Sequence, residues 1–249
     1  MQQPPIAAVL RAALLAAIVA GSVTGAFHLL VSDRVVDRAV ALEQARHPDD
    51  DHAIELFTRR TQKAGLVAGA FIYAFGMGLL FGGVYFLAGE RLPGGTHRRR
   101  ALLLAAFGLW ALYLAPFFKY PANPPGSGDP NTIYYRQVLY LAFVVLTALG
   151  IGAAIQLHSS LISVAVNRWR SAVGAVAAYV AYWSLLFLAM PGNPDHNDVP
   201  VELLRQFRAY SVAGAVLFWL VFGVIFGEVL RRQMRPRSTA DLQAPTTIA

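Results

Sequence analysis

Imidazole and carboxylate are the groups in this chain best able to meet a divalent metal ion, and they gather in three places. His28 is followed by Asp33 and Asp37, and His47 and His52 enclose Asp49, Asp50 and Asp51. Asp195, His196 and Asp198 stand together far downstream. Borderline transition metals accept both imidazole nitrogen and carboxylate oxygen. The chain has no cysteine, so disulfides, thiolate sites and iron–sulfur clusters are excluded. His28 is the sharpest candidate, although offsets of five and nine residues bring Asp33 and Asp37 only partly onto its face of an α-helix. Its other reading is an interfacial histidine bonded to a neighbouring helix. The His47–His52 run reads as an ion-attracting patch or as a solvated turn. His158, near Gln156, reads as an exit or an interface marker. His97 adjoins Arg98, Arg99 and Arg100, whose charge repels a cation.

Long apolar runs must position these groups. Only 14% of the 249 residues are charged and 56% are hydrophobic, against about 25% charged in a soluble domain. A helix crossing the hydrocarbon core needs about 20 apolar residues. Six segments qualify: 6–31, 64–88, 101–118, 138–157, 171–190 and 211–230. The first is too long an apolar run for a signal peptide and is read as a retained span. The fold class is therefore all-α, a polytopic membrane protein with six transmembrane helices. Residues 1–230 form the membrane domain, and 231–249 a basic, polar cytoplasmic tail without fixed structure.

Orientation follows from the basic residues. Arg11, Arg91, Arg98–Arg100, Arg168, Arg170 and the arginines from Arg231 to Arg237 give one side a net charge of +8. The other side carries −1, and together they make the chain's +7. The short loops place the positive side, with both termini, in the cytoplasm. The basic excess is thus a topology signal and gives no reason to expect a nucleic-acid partner.

Gly65-xxx-Gly69, Gly78-xxx-Gly82 and Gly223-xxx-Gly227 are small-residue pairs that let helices approach closely, and the repeated pairs of the second span favour packing there. The longest outer loop, 32–63, begins with an amphipathic stretch through Leu42, so the first helix is expected to extend beyond the bilayer. His47 to His52 break it, and Asp50 or Asp51 can cap a second helix, which makes a hairpin. The third and fifth spans both end in Pro-x-Asn-Pro, at 121–124 and 191–194. Repeated units of one orientation imply parallel repeats about an axis along the membrane normal, so the chain reads as three helical hairpins. Asn123 and Asn193 either cap backbone freed by the prolines or line the mouth of a pathway. If the two turns face one another, Asn123 and Asp129 would join Asn193, Asp195 and His196 in a mouth of mixed N and O donors. Arg136 opens the fourth span and must sit at the interface or find a partner such as Asp129. Glu228 can reach Arg231 or Arg232.

Leu114-Ala115-Pro116 before a Pro-rich loop, Arg136-Gln137 opening the next span, and Asp198-Val199-Pro200-Val201-Glu202-Leu203-Leu204-Arg205-Gln206-Phe207 form an ordered set. With Ala215-Val216-Leu217-Phe218-Trp219 and Gly223-Val224-Ile225-Phe226-Gly227, it resembles the CbtA family of predicted cobalt transporter subunits. The resemblance implies a multi-span protein of the prokaryotic cytoplasmic membrane that serves cobalt uptake. It also implies a small single-span partner with a His-containing tail. Cobalt would be the substrate, with no cofactor. The candidate metal residues are then His28, Asp33, Asn123, Asp129, Asn193, Asp195 and His196. The ion would pass from the outer face through the helical bundle; the alternative is a non-conducting subunit that scaffolds a larger membrane complex. No GxxxxGK, HExxH or GxSxG pattern suggests an enzyme.

Overall fold

The computed structural model describes residues 3–46, 58–125, 127–164, 166–194 and 199–234. Ile6–Phe27, a π turn over His28–Ser32, and Asp33–Arg46 run on as one helix, α1. After it come α2 (Arg59–Ala88), α3 (His97–Lys119), α4 (Ile133–Ser163), α5 (Arg168–Ala189) and α6 (Val201–Gln233). A second π turn interrupts α3 at Trp110–Leu114. Each helix contains a stretch long and apolar enough to cross a membrane, and no strand occurs among the described residues. The chain is an all-α, six-span, multi-pass membrane protein.

Several helices overrun their apolar segments. α2, α4 and α6 have 30, 31 and 33 residues, against the roughly 20 that span the hydrocarbon core. The amphipathic continuation of α1 packs Val35 and Ala39 against Leu203 at the start of α6. The run from His47 to His52, its Asp50 or Asp51 cap and the residues up to 57 lie outside the described residues, as do Asp195, His196 and 235–249. α2 opens under Thr58, whose hydroxyl accepts from the Thr61 N–H at 3.3 Å.

α1 runs antiparallel to both α2 and α6 and packs between them. Gly78 and Gly82 of α2 let Val9, Ala13 and Ala17 approach, and Gly223 and Gly227 of α6 receive Ala101, Ala105 and Arg98 of α3. The expected packing fails at Gly65-xxx-Gly69, where a Cβ would meet nothing within 4 Å. Gly69 precedes Gly78 by about two and a half helical turns and borders an open cavity beside α1.

Of the three sequential hairpins, the first is the most closely packed pair among the described residues. α4 packs instead with α5, and α3 with α6. α3 and α5 lie side by side and run in the same direction. The indole N–H of Trp110 donates to the Tyr179 hydroxyl at 2.6 Å, and the Trp110 and Trp183 rings are 5.6 Å apart.

The buried core lies toward the end of the bundle that carries the chain termini. Phe218, Phe222 and Phe226, spaced four apart on α6, form one ridge that meets Phe81 and Tyr85 of α2. The Phe81 ring is 5.0 Å from Phe222 and 4.8 Å from Phe226, and Tyr85 is 5.0 Å from Phe226. This aromatic column closes that half of the bundle.

Candidate functional site

The opposite half holds two adjoining cavities, and the π turns shape them. In α1 the Asp33 N–H reaches back five residues to the His28 carbonyl. This wider turn returns residue 33 toward the side occupied by residue 28, which an α-turn does not do. His28, Ser32 and Asp33 consequently line one cavity of about 340 Å³ with Gln62, Lys63 and Ser211. The incomplete alignment expected of an α-helix is corrected by this local π closure. The Asp33 carboxylate pairs with Lys63 of α2 at 2.6 Å, bracing the extension of α1 against α2.

A larger cavity of about 780 Å³ lies beside it, lined by hydroxyl residues Thr24, Tyr73, Tyr113, Tyr140 and Ser211 among apolar neighbours. His28 and Ser211 line both cavities. Phe218 lies in the lining where the aromatic column begins. Thr24 Oγ1 is buried without a protein hydrogen-bond partner among the described residues, so it is left for water or ligand to satisfy.

His28 is held from three directions. Its Nδ1 shares a hydrogen bond with Ser32 Oγ at 3.1 Å, and the Phe27 ring stands edge-on at 5.5 Å. Across the interface is Gly214 of α6, where a Cβ would fall 2.7 Å from Cε1 and 2.8 Å from Nε2. Only glycine admits the imidazole there.

The π turn of α3 contributes Leu112 and Tyr113 to the larger cavity. Pro116 has no N–H to give the Leu112 carbonyl four residues earlier. The Tyr140 hydroxyl of α4 donates to that carbonyl at 3.0 Å. Proline therefore creates an acceptor, and α4 supplies its donor at the cavity wall.

The Pro-x-Asn-Pro turns do face one another: Asn123 and Asn193 line a third cavity, of about 580 Å³, with Tyr120, Arg136 and Tyr140. The Tyr120 hydroxyl donates to Pro191 O at 2.7 Å. Burial raises the Tyr120 phenol above its ordinary 10.0, and nearby Tyr135 adds to the shift. Arg208 of α6 donates to Ala122 O at 3.2 Å and to Asn123 Oδ1 at 3.0 Å. Asp129 accepts from the Asn131 N–H and side-chain amide, and its own carbonyl accepts from Arg136 at 3.3 Å. The structure thus brings His28 to Asp33, and Asn123 to Asn193, in separate cavities.

The other two histidines among the described residues, His158 and His97, bind helices together. The Ser171 hydroxyl of α5 joins the Nδ1 and the carbonyl of His158 on α4, at 2.7 and 2.8 Å. His97 Nδ1 and the Tyr85 hydroxyl are 2.9 Å apart, linking α3 to α2. Glu228 accepts from both Arg231 and Arg232, as their spacing predicts. Among the described residues, no three His, Asp or Glu side chains converge to hold a metal ion.

Sequence reasoning did not identify the hydroxyl lining, the Gly214 contact or the π turns. A usable signal existed only for the second π turn, because Pro116 must orphan a carbonyl.

No curated protein and no solved structure matches the chain. The sequence pattern of CbtA, described as "Probable cobalt transporter subunit", matches residues 6–231. That range takes in all six spans, and the chain belongs to the CbtA family.

Proposed function

We propose that this protein is the ion-passing membrane subunit of a cobalt-uptake transporter. Its termini are cytoplasmic, in the cytoplasmic membrane of a prokaryote, and cobalt enters from the opposite face. One observation carries this reading: His28 lies in the lining shared by the Asp33 cavity and the hydroxyl-lined cavity. A divalent ion leaving water needs replacement donors, and imidazole, carboxylate and hydroxyl oxygen suit cobalt. The larger cavity has room for the ion to keep part of its hydration shell.

The family description makes the protein a subunit, and we take its partner to be a small single-span chain with a His-containing tail that presents cobalt to this face. Radiolabelled cobalt uptake into vesicles of defined lipid tests the reading, with the purified chain alone and with its partner. Wild type accumulates cobalt and His28→Ala loses most of that uptake. Equal uptake by the two would remove His28 from the path.

One observation favours a second reading, a non-conducting subunit that stabilises a larger complex. No three ionisable ligands converge among the described residues. Absence of uptake by the chain both alone and with its partner, with complex assembly dependent on it, would select that reading.

A further inference from the structure

Lys63 already occupies the carboxylate that the cobalt route needs. Its ammonium meets the Asp33 carboxylate at 2.6 Å, and both residues line the cavity of about 340 Å³ that His28 also lines. Among the described lining residues, Asp33 is the one acid and Lys63 the one lysine or arginine. A divalent ion arriving beside His28 therefore meets a positive charge together with the negative one. The repulsion scales with the ion's double charge and grows as water is excluded.

The two side chains are unequal in a way that suits exchange. Asp33 is 18% exposed and Lys63 is 44% exposed. The carboxylate thus stays in the wall, whereas the ammonium has water within reach at the end of a flexible four-carbon stem. An ion pair open to solvent on one side is held weakly. The ammonium offers Asp33 hydrogen bonds and gives His28 nothing, while cobalt takes both carboxylate and imidazole as ligands.

We propose that Lys63 is a built-in competitor for the cation: it neutralises Asp33 until cobalt arrives and is then displaced into water. The inference rests on the reading of His28 and Asp33 as cobalt donors. It needs no unoccupied carboxylate, because the exchange starts from the ion pair that the structure holds. The same pair braces the extension of α1 against α2, so the exchange also releases that brace. By linkage, whatever loosens the pair favours the ion, and the ion loosens the pair to the same extent. A lysine that served only as a brace would act with the opposite sign, since its removal would loosen the cavity and weaken cobalt binding.

The full chain purified in detergent serves both arms of the test. Calorimetry with cobalt chloride reads affinity. Lys63→Met, which keeps the apolar stem, should bind cobalt several-fold more tightly than wild type, and Lys63→Arg should restore ordinary affinity. The second arm needs no variant of Lys63. Lys63 and Lys119 are the two lysines of the chain, so an amine-reactive label read by mass spectrometry follows one against the other. Cobalt chloride should raise labelling of Lys63 several-fold, and sodium chloride at equal ionic strength should not. Lys119, bonded to the Phe187 carbonyl, should be indifferent to both. Asp33→Asn should label Lys63 readily before cobalt is added and show no further rise with it. Weaker or unaltered cobalt binding by Lys63→Met, or labelling of wild-type Lys63 that ignores cobalt, would overturn the proposal. Cobalt uptake that depends on His28, found beside an indifferent Lys63, would overturn this inference alone. A wild-type chain that binds no cobalt would remove the functional reading as well.

Discussion

Lys119 donates to the carbonyl of Phe187 at 2.7 Å, and its ammonium stands 4.7 Å from the centroid of that residue's ring. One side chain at the end of α3 thus engages both the backbone and the aromatic face of α5. A charge at such a place in a span needs a partner, and this one has two. Lys119→Met, which keeps the apolar stem, is expected to lose about 1–3 kcal/mol of stability. Thermal unfolding in detergent measures it. An unchanged midpoint would mean that the contact is replaced by water at no loss.

The contact of His28 with Gly214 gives a pairwise prediction. Gly214→Ala puts a Cβ within 2.7 Å of the ring and should destabilise by about 1–3 kcal/mol through overpacking. In a His28→Ala background the same change should be nearly neutral, because the clashing group is gone. A double-mutant cycle of unfolding midpoints reads the coupling. Additive losses would show that Gly214 is needed for another reason.

The Leu112 carbonyl lost its helical donor to Pro116 and recovered one from Tyr140. Tyr140→Phe should therefore lower stability by about 1–3 kcal/mol, the loss expected when a buried acceptor is left unmet. Introducing Pro116→Ala restores an N–H four residues after Leu112, so the tyrosine should then matter less. If the two losses simply add, the account of the π turn is wrong.

Tyr120 supplies a pH test. Its phenol is raised above 10.0, first by burial and then by Tyr135, so the folded chain holds that proton more tightly than the unfolded chain. The stabilisation linked to it is present in full below pH 10.0 and declines as pH rises through the folded value. Ultraviolet titration of phenolate should differ between wild type and Tyr120→Phe by one phenol that ionises above pH 10.0. Loss of the bond to Pro191 should accompany it as a fall in thermal midpoint that the variant lacks.

Much of the scaffold was legible in the chain because lipid imposes a simple rule. Runs of about 20 apolar residues must be helices, and all six appear. The Glu228 pairing was legible because its partners lie within one helical turn. Whether the two Pro-x-Asn-Pro turns face each other was left open by the sequence, and Asn123 and Asn193 do line one cavity. The partners of Asp33 and Asn123 were not legible. Lys63 and Arg208 reach them across a long loop or from the last span, and local spacing cannot encode that. Helical phase decided which glycines pack: Gly78 meets α1 directly, whereas Gly69, half a turn out of step, borders a cavity. The π turn at His28 has no proline or other marker, yet it is what sets His28 and Asp33 around the same space.

The parallel pairing of α3 and α5 has a mechanical consequence. Trp110–Tyr179, Lys119–Phe187 and Tyr120–Pro191 fasten the two spans at successive levels. Together they act like rivets along a beam and couple the tilt of one span to that of the other. α5 brings α4 with it through His158 and Ser171, making a lever of three spans. The lever bears on the remaining bundle along the seam where Gly223 and Gly227 receive α3. Those glycines therefore set how closely the three spans seat on α6, and bulk added there would hold them off without touching a cavity.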